Sequence, residues 1–229
     1  MRIPPVTVLL TAGALLGWLG MPVAAAQSAC ADLGGTVGAD QTCQVHTANA
    51  TYTLDYTFPV GYPDQQAVAD YLIQTRDGFV NVSGMPGSRD QPYVLDARGT
   101  AYSSGTPPHT QSLGFEVYQN VGGAHPQTWY KTFNYNMATR APITFDTLFK
   151  PGSKPLDVIY PIVQRQLQKQ SGVEQAIPPS VGLDPAHYQN FAITDDAVIF
   201  FFGQGELLPE AAGASQASVP RSAVAALLA

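Results

Sequence analysis

Gly122-Gly123-Ala124-His125-Pro126 joins two segments whose side-chain alternation decides how the chain folds. Before it, Leu113, Phe115 and Val117 alternate with Gly114, Glu116 and Tyr118. After it, Trp129, Phe133 and Tyr135 alternate with Tyr130, Thr132 and Asn134. A period of two sends successive side chains to opposite faces, so each segment predicts a half-buried β-strand. Paired glycines allow the positive-φ turn that other residues resist, and Pro126 cannot donate to a ladder. The stretch therefore reads as a hairpin with His125 at its tip, where binding groups often sit. Gly122, Gly123, His125, Trp129 and Tyr130 form the candidate binding set, since Tyr and Trp are enriched at interface hot spots. The simpler reading makes His125 a turn residue bonded to backbone and the aromatics part of the sheet.

Upstream, Tyr52, Leu54, Tyr56 and Phe58 alternate with Thr53, Asp55 and Thr57, a strand that Pro59 ends. Asp64 suits an N-cap, and Val68, Tyr71, Leu72, Phe79 and Val82 recur at helical spacing behind it. Residues 93–102 predict another strand. Downstream, Leu156, Ile159, Tyr160, Val163 and Leu167 share one face of a second helix, with Pro161 kinking it or marking its start. Asp184-Pro185 caps a short helix through Tyr188. Thr194-Asp195-Asp196 turns the chain between Phe191–Ile193 and the apolar run Val198–Phe202, which suits a strand covered on both faces. Residues 211–218 read as a low-complexity stretch. Most connections between strands are too short for parallel crossovers. The expectation is an α+β fold, a mainly antiparallel sheet with two main helices packed on it.

Residues 1–26 have the pattern of a signal peptide: Arg2, an apolar run from Val6 to Leu19, and Ala24-Ala25-Ala26 before the cut. That run is shorter than the roughly 20 residues that span a bilayer, so no stable membrane anchor is expected. Residues 27–229 remain as one secreted domain, extracellular or wall-associated and expected to be monomeric. Cys30 and Cys43 are the only cysteines, and in an exported chain an isolated pair predicts a disulfide. Removing Arg2 with the leader takes the net charge from -6 to -7. Such an acidic chain lacks the basic footprint of a nucleic-acid binder.

The blocks YPDQQAVADYLIQTRDGF, YQNVGGAHPQTWYKTFNYN, PITFDTLF, GLDPAHYQNFAITDDAVIFFF and GELLPEAAG resemble the mycobacterial secreted immunogenic antigens of the culture-filtrate type. Residues 122–149 and 191–213 are also similar to the sensor domain of a lysozyme-binding anti-sigma factor. The resemblance implies secretion, an α+β fold with a β-grasp-like element, and recognition of host or cell-wall partners, protein or glycan. Ester hydrolysis has been proposed within the antigen family, without a motif that transfers residue by residue.

A serine esterase needs a nucleophile beside a base and donors for the oxyanion. The elbow G-x-S-x-G is absent from this sequence. Ser83, Ser103 and Ser104 lie near glycines, His125 and His187 are the base candidates, and Asp184, Asp195 or Asp196 are available to orient one. Glu206 reads as a buried or interface carboxylate. No H-E-x-x-H, Cys-His cluster or calcium loop occurs in the sequence, so neither metal nor cofactor is expected. The sequence favours an extracellular binding module, with a secreted serine-type carboxylesterase for short-chain esters as the alternative.

Overall fold

The computed structural model describes residues 29–85, 91–122, 125–172 and 176–229. The expected leader, and Gly123 of the hairpin tip, lie outside the described residues.

Seven strands lie side by side in chain order: β1 (Thr36–Val37), β2 (Thr42–Ala48), β3 (Tyr52–Pro59), β4 (Tyr93–Ser104), β5 (Thr110–Asn120), β6 (Gln127–Asn136) and β7 (Ala141–Pro142). All neighbours are antiparallel except β3 and β4, which run parallel across helix α1 (Gln65–Ser83). A parallel pair needs a crossover connection, and α1 supplies it. The hairpin β2–β3, the helix and the hairpin β4–β5 make the grasp-like part of the fold. Asp64 caps α1 as its sequence predicts, its carboxylate accepting from the Ala67 N–H at 3.2 Å. Val68, Leu72 and Phe79 of α1 meet Leu54, Tyr56, Phe58, Leu95, Leu113, Phe115 and Val117 of the sheet in one apolar core. The Tyr56 hydroxyl donates to the Leu72 carbonyl at 3.2 Å, which gives a polar atom inside that core its partner.

The second long helix, α2 (Leu156–Ser171), runs through Pro161 and stops where Gly172 takes φ 69°. It does not share the large sheet. It packs on a separate antiparallel sheet of three strands, β8 (Phe191–Ile193), β9 (Ala197–Phe202) and β10 (Ser215–Pro220), with β9 in the middle. Ile159, Val163 and Leu167 of α2 meet Ile193, Val198, Phe200, Phe202, Ala217 and Val219, and Phe145 and Tyr188 complete this second core. Alternation along β9 explains its apolar run. Val198, Phe200 and Phe202 face the core under α2, whereas Phe201 turns back to Tyr102 and Tyr130 of the large sheet.

Side chains bridge the two sheets. The Phe191 N–H donates to Thr132 Oγ1 at 2.9 Å and the Ile193 N–H to Ser112 Oγ at 3.1 Å. The Asn134 amide donates to the Phe191 carbonyl at 2.8 Å. On the far edge, the Gln166 amide of α2 spans Ser218, donating to its carbonyl at 2.6 Å and accepting from its N–H at 2.9 Å.

Cys30 and Cys43 form the expected disulfide, which ties a helical turn at residues 29–32 to β2. The bridge closes a separation of 13 residues, for which loop entropy gives about 3 kcal/mol. Replacing both cysteines by serine is expected to cost that order of stability in urea denaturation, lowering the midpoint and steepening the slope as the unfolded chain expands.

Candidate functional site

At the hairpin tip Gly122 adopts φ 74°, and its N–H donates to Asn120 Oδ1 at 3.0 Å. His125 is exposed. The aromatic candidates that follow it part company, because adjacent residues of β6 face opposite ways. Trp129 turns toward α1, its indole N–H donating to the Tyr71 hydroxyl at 3.0 Å. Tyr130 lies on the other face, with its ring centroid 5.2 Å from that of Phe201. Its hydroxyl reaches Glu116 at 3.5 Å, and burial together with the Glu116 charge pushes its pKa up to about 12. Trp129 and Tyr130 therefore do not share one surface with His125.

His187 is in a different setting. It sits on the 3-10 turn Pro185–Tyr188, which Asp184 caps by accepting from the Ala186 N–H at 2.9 Å. Its Nδ1 lies 3.4 Å from Glu206 Oε1, and both side chains are 26% exposed. The other carboxylate oxygen of Glu206 accepts from the Gly203 N–H at 2.7 Å. A backbone donor thus anchors the carboxylate that faces the imidazole, and Nε2 is left as the nitrogen available for proton transfer. Two of the acids considered from sequence serve elsewhere: Asp184 caps the turn, and Asp195 accepts from the Gly105 N–H at 2.7 Å. The partner is Glu206, 19 positions downstream, which no spacing rule joins to His187.

The serines near glycines are bound to other groups or stand apart. Ser83 donates to the Val80 carbonyl at 2.8 Å, and Ser104 shares a bond with Thr110 at 2.9 Å. Ser103 lines a cavity of about 310 Å³ between Tyr62 and Tyr102. Among the described residues no serine hydroxyl is hydrogen-bonded to His125 or His187. Nor do the described residues hold a cluster of three or more metal-ligating side chains.

The outer face of the large sheet carries a second polar group. Register places His46, Asp55, Asp96 and Tyr118 in one row across β2 to β5, with Arg98 and Glu116 in the next. His46 Nδ1 lies 2.6 Å from Asp55 Oδ1. Asp96, Arg98, Glu116 and Tyr118 line a hollow of about 310 Å³. Burial, and then the Asp55 charge beside it, raise the Asp96 pKa above its ordinary 3.8. The folded state then holds this proton more tightly than the unfolded chain. The associated stability is complete below pH 3.8 and is lost as pH rises through the folded value. Asp96→Asn is accordingly expected to raise Tm at pH 7, and the gain should shrink as pH falls toward 3.8. Melting curves across that range check it.

Comparison with known proteins places these features in context. Residues 146–222, which include His187, Glu206 and the small sheet, match a family described as "Protein of unknown function (DUF3298)". The chain is 60% identical over 225 residues to "Esterase Rv3036c" of Mycobacterium tuberculosis strain H37Rv, covering 98% of each chain. It is 46% identical over 222 residues to "Immunogenic protein MPT64" of the same strain, covering 96% of this chain and 97% of the relative. Among solved structures, a DUF3298 family protein from Pseudomonas aeruginosa PAO1 has the same fold with a TM-score of 0.54 at 10% identity, over 84% of this chain and 96% of its own.

Proposed function

Because this chain belongs to the mycobacterial immunogenic antigen family, whose members include a full-length relative named as an esterase, we propose that it is an exported hydrolase of short-chain carboxylic esters with His187 as its base. The observation that carries this reading is the anchored His187–Glu206 pair. An imidazole with a carboxylate 3.4 Å from one nitrogen can take a proton on the other, and the carboxylate stabilises the imidazolium that forms. In the proposed step, His187 takes a proton from a water whose oxygen adds to the ester carbonyl and returns it to the leaving alkoxide, so ester and water give acid and alcohol. Where a serine hydroxyl attacks first, the alcohol departs to leave an acyl-enzyme, and His187 then activates the water that releases the acid. Export rests on the leader pattern of residues 1–26. No helix among the described residues is long and apolar enough to cross a membrane.

The experiment is turnover of p-nitrophenyl butyrate by the secreted chain, with fluorophosphonate labelling in parallel. Saturation kinetics support hydrolysis, and one labelled serine identifies a covalent nucleophile; saturation without labelling assigns the attack to water. Turnover no faster than that of a protein surface of similar composition would overturn the proposal. A second reading, an extracellular binding module for host or wall components, is favoured by the hollow of Asp96, Arg98, Glu116 and Tyr118. Carboxylates, a guanidinium and an aromatic edge in one concave patch suit a hydroxyl-rich ligand such as a glycan.

A further inference from the structure

A groove of about 490 Å³ opens at the start of α2, beside the turn that carries His187. Its floor is the outer rim of the second core. Phe145 and Phe149 are only 5% and 4% exposed, and their rings pack edge to face with centroids 5.2 Å apart. Leu156 and Leu183 continue the apolar lining, and Leu183 is 39% exposed, one of the few large apolar side chains that the fold leaves open. Three prolines, 151, 155 and 185, stiffen the rim, so little of the groove must be ordered when a ligand enters. Lys150 and Lys154 also stand on it. Lys150 donates one hydrogen bond to the Ala226 carbonyl at 2.9 Å. Asp146 and Asp157 share the lining, so the two lysines and two carboxylates leave the rim formally neutral.

An apolar trough with ammonium groups on its rim suits a hydrocarbon tail that ends in a carboxylate or ester. That is also the product side of ester hydrolysis. Pro185, on the rim, and His187 are two residues apart, so their Cα atoms are separated by about 7 Å at most. We infer that this groove receives the acyl chain of the substrate and that Lys150 and Lys154 face the carboxylate end of the released fatty acid. The assignment of the groove to substrate rests on the hydrolase reading above, and it extends that reading from short-chain to medium-chain acyl esters.

The test uses sodium decanoate as a binding probe, followed by NMR shifts of the groove residues, together with p-nitrophenyl acetate and decanoate as substrates. Leu183→Trp fills the groove from an exposed position, where folding is not at risk, and Lys154→Glu reverses one rim charge. The wild-type chain is expected to bind decanoate saturably and acetate not at all. Leu183→Trp should weaken decanoate at least tenfold and lower the decanoate-to-acetate ratio of kcat/KM by a similar factor. Lys154→Glu should weaken decanoate several-fold. Decanoate binding that survives both variants, or its absence in the wild type, overturns the groove assignment. If the variants abolish decanoate binding but the wild type turns over neither ester, the groove stands as a fatty-carboxylate site and the hydrolase reading falls.

Discussion

His187→Ala is expected to lower kcat/KM for p-nitrophenyl butyrate by roughly 10²- to 10⁴-fold, the usual contribution of a positioned general base. The imidazole is about a quarter exposed and lies at the rim of the second core, so Tm should move little. Glu206→Gln keeps the shape of the partner and an oxygen for the Gly203 N–H but removes the charge that faces Nδ1. It should therefore lose less than His187→Ala, mainly in kcat. Combining the two should cost scarcely more than His187→Ala alone, because residues that act as a unit are not additive. Equal activity in His187→Ala and wild type would remove His187 from the chemistry. A drop in His125→Ala instead would return the role to the hairpin tip.

Phe200→Ala is expected to cost about 3–5 kcal/mol, which for a chain of this size lowers Tm by roughly 6–20 °C. The ring is fully buried and meets Phe145, Tyr188 and Phe191 at centroid distances of 6.4, 5.4 and 6.1 Å. Truncation leaves a cavity among three aromatic rings that cannot all close on it. Phe201→Ala, one residue on, empties the contact with Tyr102 and Tyr130 between the two sheets, and Gly114 beside it offers no side chain to fill the space. Calorimetry of both variants separates the packing under α2 from the packing between sheets. If Phe200→Ala melts within 2 °C of the wild type, the second core is not packed as described.

Much of the fold was legible because local pattern and burial agree. Leu113, Phe115 and Val117 alternate in sequence and are fully buried on one face; Asp64 caps the helix it precedes; and Val198–Phe202 is the central strand of its sheet. What could not be read depends on distant partners. Strand β2 has only Cys43 and Val45 as inward apolar residues, too few for a period to emerge. Strand β10 lies in and beyond a stretch that looks like a small-residue tail. Only Ala217 and Val219 point inward, and pairing with β9, not propensity, makes it a strand. The division into two sheets, with one helix for each, is likewise set by long-range pairing. At the candidate site, His187 was legible as a base candidate and Glu206 as a buried or interface carboxylate, but not their union. The turn at Gly203–Glu206 brings them together, and the sequence marks that turn only by its two glycines.

The amide of Gln166 and the short polar side chains of Ser112, Thr132 and Asn134 have a consequence for self-association. A three-stranded sheet ordinarily offers two unsatisfied flanks on which a foreign or identical chain can polymerise. Here one flank meets a glutamine that imitates a neighbouring peptide group, and the other meets hydroxyls and an amide rooted in the adjoining sheet. The same contacts that hold the small sheet in place also terminate it, so the sheet that contains the apolar strand Val198–Phe202 offers no open edge for another chain to extend. Gln166→Ala, by stripping one of these caps, should show first as a lower concentration threshold for fibril formation.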